Sequence, residues 1–233
     1  MNQLVSKIYD IFKNIKNITN QQSDNDDYII CDLLKFNKNF NDFDFDNKNI
    51  KILPPSFCNI QIEGYLILSN NKLKSLPPSF CNIQIEGDLI LSNNEIEILP
   101  ENFGNIIIKG NLDLRNNKLK SLPTSFCNLQ IEGNLILSNN EIEILPEHFD
   151  NISIKGNLNL SNNKIKSLPP NFYNIKIEGD LNISNNIIIY LSKNFSNIKI
   201  KGNLFLSNYI YILKYIKKND FKFIKNIYIF YDK

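Results

Sequence analysis

The side chains that could carry nucleophilic or soft-metal chemistry are one histidine and four cysteines in 233 residues. His148 lies in Pro146-Glu147-His148-Phe149, with no second histidine to complete an acid–base pair or a zinc set. Cys58, Cys81 and Cys127 are separated by 23 and 46 residues, and at the same interval other stretches place Gly104, Asp150, Tyr173 and Ser196. A position that accepts Cys, Gly, Asp, Tyr or Ser behaves as a half-buried packing site, not as a ligand set. Cys31 stands apart from that series, and four cysteines without a paired framework are the simpler fit to a reducing compartment. No glycine-rich phosphate loop is present. The expectation is a protein that is not an enzyme, with no catalytic residue, no metal and no cofactor. With 26 basic and 24 acidic residues the formal net charge is +2, too balanced to point to nucleic acid.

The interval of 23 is the organising fact. Gly64, Gly87, Gly110, Gly133, Gly156, Gly179 and Gly202 fall in register at that spacing, each followed by Leu-x-Leu or Leu-x-Ile and, in most copies, by Ser-Asn-Asn. In the copy from Gly87 to Lys109, Leu89 and Leu91 alternate with Asp88, Ile90 and Ser92, the period-two pattern of a short strand with one buried face. Ile96 and Leu99 turn back beneath it, and Phe103, Ile106 and Ile108 make the return path apolar as well. Such a rung has apolar groups on both sides of a thin interior and cannot bury them alone, so neighbours must supply the walls. A weaker copy precedes the seven, with Phe43, Phe45, Ile50, Leu53 and Pro54 at matching places.

Individual positions carry individual demands. Asn71, Asn94, Asn117, Asn140, Asn163 and Asn186 follow the strand by three residues and are expected inward, as a ladder whose amides serve the turn backbone as donor and acceptor. The glycines call for a positive φ or for close approach between rungs. Pro54, Pro77, Pro100, Pro123, Pro146 and Pro169 open the return path and disfavour a long helix there. Phe57, Phe80, Phe103, Phe126, Phe149, Phe172 and Phe195 follow three residues later and are expected to stack as a core spine.

The phrase Leu89-x-Leu91-x-x-Asn94-x-Ile96-x-x-Leu99-Pro100 resembles the leucine-rich repeat. The resemblance implies a curved solenoid with a parallel β-sheet on the concave face and a mostly irregular or extended convex side. It also implies a stacked Asn ladder and protein recognition through exposed strand positions. The Asn-, Ile- and Lys-rich language is similar to that of repeat proteins of AT-rich genomes, such as giant viruses of amoebae or social amoebae. One departure is that the family's Leu three residues before the strand is replaced by Glu63, Glu86, Lys109, Glu132, Lys155, Glu178 or Lys201. The preceding apolar residue, such as Ile85, is then expected to pack in its stead, in an extended segment with a bulge at Gly87.

Charges flanking the residue after the Asn pair alternate along the stack. Lys72 and Lys74 are followed by Glu95 and Glu97, then Lys118 and Lys120, Glu141 and Glu143, and Lys164 and Lys166. Two readings stand: a device that fixes stacking register through neighbouring opposite charges, or rungs duplicated as doublets.

Outward strand positions are the free surface. One column reads Ile67, Ile90, Asp113, Ile136, Asn159, Asn182 and Phe205, and the column before it begins at Tyr65 and continues through Asp88 and Asn111. Tyr65, Ile67, Ile90 and Ile136, with Asp113 and Arg115 interrupting them, form the candidate protein-binding face. Ordinary β-former choice on a solvent-facing strand explains the same isoleucines.

Three regions result: 1–40, a helix near residues 3–18 and a polar linker; 41–209, the solenoid; and 210–233, a cap or a basic, aromatic tail. Ser207 to Lys233 holds six lysines against two aspartates. No stretch reads as a secretory signal or a membrane span. The expected role is a scaffold for a protein partner in the cytoplasm, or the host cytoplasm if the source is viral, with membrane contact not expected. The alternative is an assembly element that joins copies through its ends or faces.

Overall fold

The computed structural model describes residues 42–53, 55, 57, 61–207 and 224–230. The helix expected near residues 3–18 and its linker, Cys31, Pro54, Cys58 and most of the 210–233 segment lie outside the described residues.

Within them the chain is the repeat solenoid that its periodicity predicts. Strands of two residues, Phe43–Asp44, Leu66–Ile67, Leu89–Ile90, Leu112–Asp113, Leu135–Ile136, Leu158–Asn159 and Leu181–Asn182, pair in parallel with Leu204–Ser207 and Ile227–Phe230 as a nine-stranded sheet ordered as in sequence. The register is in step with the repeat throughout, as in Leu66↔Leu89 and Leu89↔Leu112. Strands this short cannot persist singly, and each is held by neighbours roughly 4.8 Å away.

A second parallel sheet lies on the return path. Its strands, Gln61–Ile62, Gln84–Ile85, Ile107–Ile108, Gln130–Ile131, Ser153–Ile154, Lys176–Ile177 and Lys199–Ile200, precede each glycine. The extended segment anticipated there is present, but Gly87 is not a bulge within one strand. Gln84–Ile85 and Leu89–Ile90 belong to different sheets, and Glu86–Gly87 is the corner between them. Between the prolines and this sheet run short 3₁₀ turns, such as Pro78–Asn82 and Phe103–Asn105.

The core is a column of like residues. Leu66, Leu89, Leu112 and Leu135 are completely buried, and so are Ile85, Phe80, Phe103, Phe126 and Phe149 on the return side. The rings stack nearly parallel, Phe103 on Phe126 at 5.9 Å and Phe149 on Phe172 at 6.1 Å.

Backbone conformation divides labour between Gly and Asn. No described glycine has a positive φ. Close contact is the requirement at Gly110, whose N–H donates to Gly87 O at 2.9 Å and where a Cβ would fall against the Gly87 carbonyl and the Asp88 carboxylate. The left-handed conformation is instead taken by the first Asn of each pair, Asn70, Asn93, Asn116, Asn139, Asn162 and Asn185, at φ between 53° and 56°. Asn tolerates that region better than other residues bearing a Cβ.

The second Asn of each pair is buried. Asn94 Oδ1 accepts from Leu73 N–H of the preceding rung at 3.0 Å, while Nδ2 donates to Leu68 O at 2.9 Å and to Leu91 O at 3.1 Å. Asn71, Asn117, Asn140, Asn163 and Asn186 repeat this stitch. It satisfies turn backbone groups at the point where strand pairing ends.

Candidate functional site

The outward face of the main sheet is set by strand alternation. With Leu66, Leu89, Leu112 and Leu135 inward, the next residues must point out, and register aligns Ile67, Ile90, Asp113 and Ile136 on successive rungs. Ile67, Ile90 and Ile136 are half-buried, and Tyr65 at 38% is exposed.

Asp113 is not free surface. It is 4% exposed between the two isoleucine rungs. Its Oδ1 accepts from Arg115 N–H at 3.0 Å and its Oδ2 meets Arg115 Nε at 3.0 Å. Burial pushes its carboxyl above the usual range, opposed by that backbone N–H and by the guanidinium. Arg115 itself is half exposed and occupies the place of the buried Ser69, Ser92 and Ser138. The face thus holds a charged pair with its guanidinium accessible, set into an isoleucine row.

Polar outward residues elsewhere turn back on their own backbone. Asn159 Oδ1 accepts from Ser161 N–H at 3.0 Å, and Asn182 does the same for Ser184. The neighbouring column is also committed. Asn111 N–H donates to Asp88 Oδ1 at 2.7 Å, Asn134 N–H to Asn111 Oδ1 at 2.7 Å, and Asn157 N–H to Asn134 Oδ1 at 2.8 Å. Tyr65 is the member of this column without an amide or carboxylate to extend the ladder.

Two features are not evident from the sequence. The strand Ile227–Phe230 keeps the register, Leu204↔Ile227, although the glycine phrase has gone. It places Tyr228 on Phe205 at 5.0 Å and so extends the outward face with aromatic rings. Asn226-Ile227-Tyr228-Ile229, echoing Asn203-Leu204-Phe205-Leu206, was the available signal. The residues at the missing-Leu position form a second series of ion pairs, Glu86–Lys109, Glu132–Lys155 at 3.0 Å and Glu178–Lys201 at 2.9 Å. In the anticipated series, Glu95–Lys118 measures 3.1 Å, Glu141–Lys164 2.7 Å and Glu143–Lys166 2.6 Å.

Cys81 and Cys127 are buried free thiols, both held above the usual thiol range by burial, with the Asp150 carboxylate adding to it at Cys127. That environment disfavours a thiolate nucleophile. Among the described residues no cluster of three His, Cys, Asp or Glu could hold a metal ion, and no helix is long and apolar enough to cross a membrane. His148 is exposed.

The sequence profile described as Leucine Rich Repeat matches residues 65–83, 111–129 and 157–175. Those three stretches match the repeat, and the stack has the fold of a leucine-rich-repeat-like solenoid. Among solved structures it is similar to YopM from Yersinia enterocolitica WA-314, at TM-score 0.50 and 16% identity over 97% of this chain and 55% of that one. It is also similar to a leucine-rich-repeat protein of Leptospira interrogans, at TM-score 0.45 and 20% identity over 87% and 69%. The chain spans about half the length of YopM. No curated protein matches its sequence significantly.

Proposed function

We propose that this protein is a non-enzymatic scaffold that binds a protein partner on the outward face of its main sheet. Tyr65, Ile67, Ile90 and Ile136 supply apolar contact, and Arg115, anchored by Asp113, supplies a directed cation. The observation that carries this reading is the Asp113–Arg115 pair. A carboxylate buried between isoleucine rungs is a cost to the fold, and its effect is to hold one guanidinium in an otherwise apolar strip. Arginine and tyrosine are among the residues enriched in protein-binding hot spots.

The location that goes with this reading is the cytoplasm, or a host cytoplasm if the source is viral. A source among AT-rich genomes rests on the Asn-, Ile- and Lys-rich composition alone.

Affinity capture with the intact chain, beside a variant carrying Tyr65→Ser, Ile67→Asp, Ile90→Asp and Ile136→Asp, tests the reading. A partner retained by the first and lost from a still-folded second supports it. Equal retention by both removes this face from consideration.

A further inference from the structure

The rungs differ in pairs. The repeat profile matches at 65, 111 and 157, alternate rungs, and the segment after the Asn pair reads Lys74-Ser75, Glu97-Ile98, Lys120-Ser121, Glu143-Ile144 and Lys166-Ser167 along the stack. Parallel bridges Ser75↔Ile98 and Ser121↔Ile144 place these segments side by side on one turn edge of the solenoid. Ile98 and Ile144 are 64% and 68% exposed, and Tyr190, two rungs further, is 64% exposed. The edge therefore presents large apolar residues separated by serines, beside a line of alternating charge.

We infer that this edge is a homodimer contact, and that its occupant is a second copy of the chain lying antiparallel. A two-fold axis in the interface, running across the stack between the Ser121 and Ile144 rungs, reverses the order of rungs. Ile144 then meets Ser121 of the copy, Ile98 meets Ser167, and Tyr190 meets Ser75. The same operation sets Lys120 against Glu143 of the copy and Glu97 against Lys166.

Both complementarities arise from one period of two rungs, and both fail together. Moving the axis onto a rung, a shift of one rung, sets Lys against Lys, Glu against Glu and Ile against Ile. The charges left over within one chain also fit. Glu143 and Lys166 already pair at 2.6 Å, whereas Glu97 and Lys120 make no ion pair among the described residues. In the dimer each of these two gains a partner from the copy's Glu143–Lys166 pair. Intrachain stacking alone accounts for Lys beside Glu, but not for an apolar residue on every second rung exposed to water. The contact is one edge of six rungs, roughly 30 Å long at the strand spacing. That is the small end of specific interfaces, so the dimer is weak and concentration-dependent.

Sedimentation velocity on the full chain, up to about 1 mM, gives the test. The parent is expected to move from monomer to dimer. Lys120→Glu alone and Glu143→Lys alone place like charges across the axis, and each is expected to weaken association by about tenfold or more. Mixed, the two variants place Glu against Lys at both junctions, and the heterodimer is expected to return to the parent's affinity. Ile98→Ser with Ile144→Ser, at exposed sites, should abolish the dimer without moving the melting temperature. A monomeric parent across the range, variants that associate like the parent, or a mixture no tighter than its components would each overturn the inference.

Discussion

Asn116 and Asn117 are adjacent and serve the rung in opposite ways. Asn116 takes the left-handed conformation at φ 55° and donates outward to Asn93 Oδ1 at 2.6 Å. Asn117 points inward, donates to Leu91 O at 3.0 Å and accepts from Ile96 N–H at 3.0 Å. The first is a conformational requirement and the second a hydrogen-bonding one, so substitution separates them. Asn117→Ala strands buried backbone groups and should cost about 1–3 kcal/mol. Asn116→Gly relieves a left-handed residue and should change stability by only about 0.5 kcal/mol, while Asn117→Gly should be as damaging as Ala. Urea denaturation of the three variants checks this; equal shifts at both positions would contradict it.

Gly110→Ala should destabilise by about 1–3 kcal/mol. The new methyl meets the carbonyl of Gly87, which cannot yield without breaking the 2.9 Å Gly110–Gly87 bond. The check is the thermal midpoint. An unchanged value would mean that the rungs stack more loosely than the structure has them.

Phe126 is fully buried between Phe103 at 5.9 Å and Phe149 at 6.4 Å. Phe126→Ala opens a cavity in the middle of the stack and should cost about 3–5 kcal/mol. Calorimetry should show the loss, with Phe126→Leu retaining most of the stability.

The pH dependence has two opposing parts. The carboxyls of Glu95, Glu141 and Glu143 are held below their usual 4.5, first by hydrogen bonds from Lys118, Lys164 and Lys166 and then by those charges. Folding favours their ionised form, so this stability is present above pH 4.5 and is lost as acid protonates them. Lys164 is raised from 10.5 by Glu141, so its share is present below that pH and lost above it. Asp113 is raised by burial and has the opposite sign, destabilising once ionised. Asp113→Asn, the residue found at Asn159 and Asn182, should therefore raise the melting temperature at neutral pH. All three Glu contributions are at exposed pairs and should fade at about 1 M salt, where the screening length is about 3 Å. Melting curves across pH at low and high salt separate these terms.

The stack was legible because a repeat states each requirement many times: Leu89, Asn94 and Phe103 recur at one interval, and any rung gives the same answer. The second sheet was harder to read. Ile83-Gln84-Ile85 shows alternation, yet nothing in a single strand says which neighbours it joins. The glycines and the first Asn of each pair were ambiguous because Gly and Asn both enter the left-handed region. Only the backbone shows that Asn116 uses it while Gly110 is small for contact. Among outward residues, Ile67, Ile90 and Ile136 followed from alternation. The burial of Asp113 did not, because it depends on the width of the isoleucines on both sides.

The proposed partner surface is the outward face of the main sheet. The most direct measurement places a photo-crosslinking residue singly at Ile67, Ile90 and Ile136, and in parallel at Gln84 and Gln130 on the second sheet and at Ile98 and Ile144 on the turn edge. Crosslinks to a heterologous protein are expected from positions 67, 90 and 136, self-crosslinks from 98 and 144, and neither from 84 and 130. A partner crosslinked from the second sheet and absent from 67, 90 and 136 would contradict it.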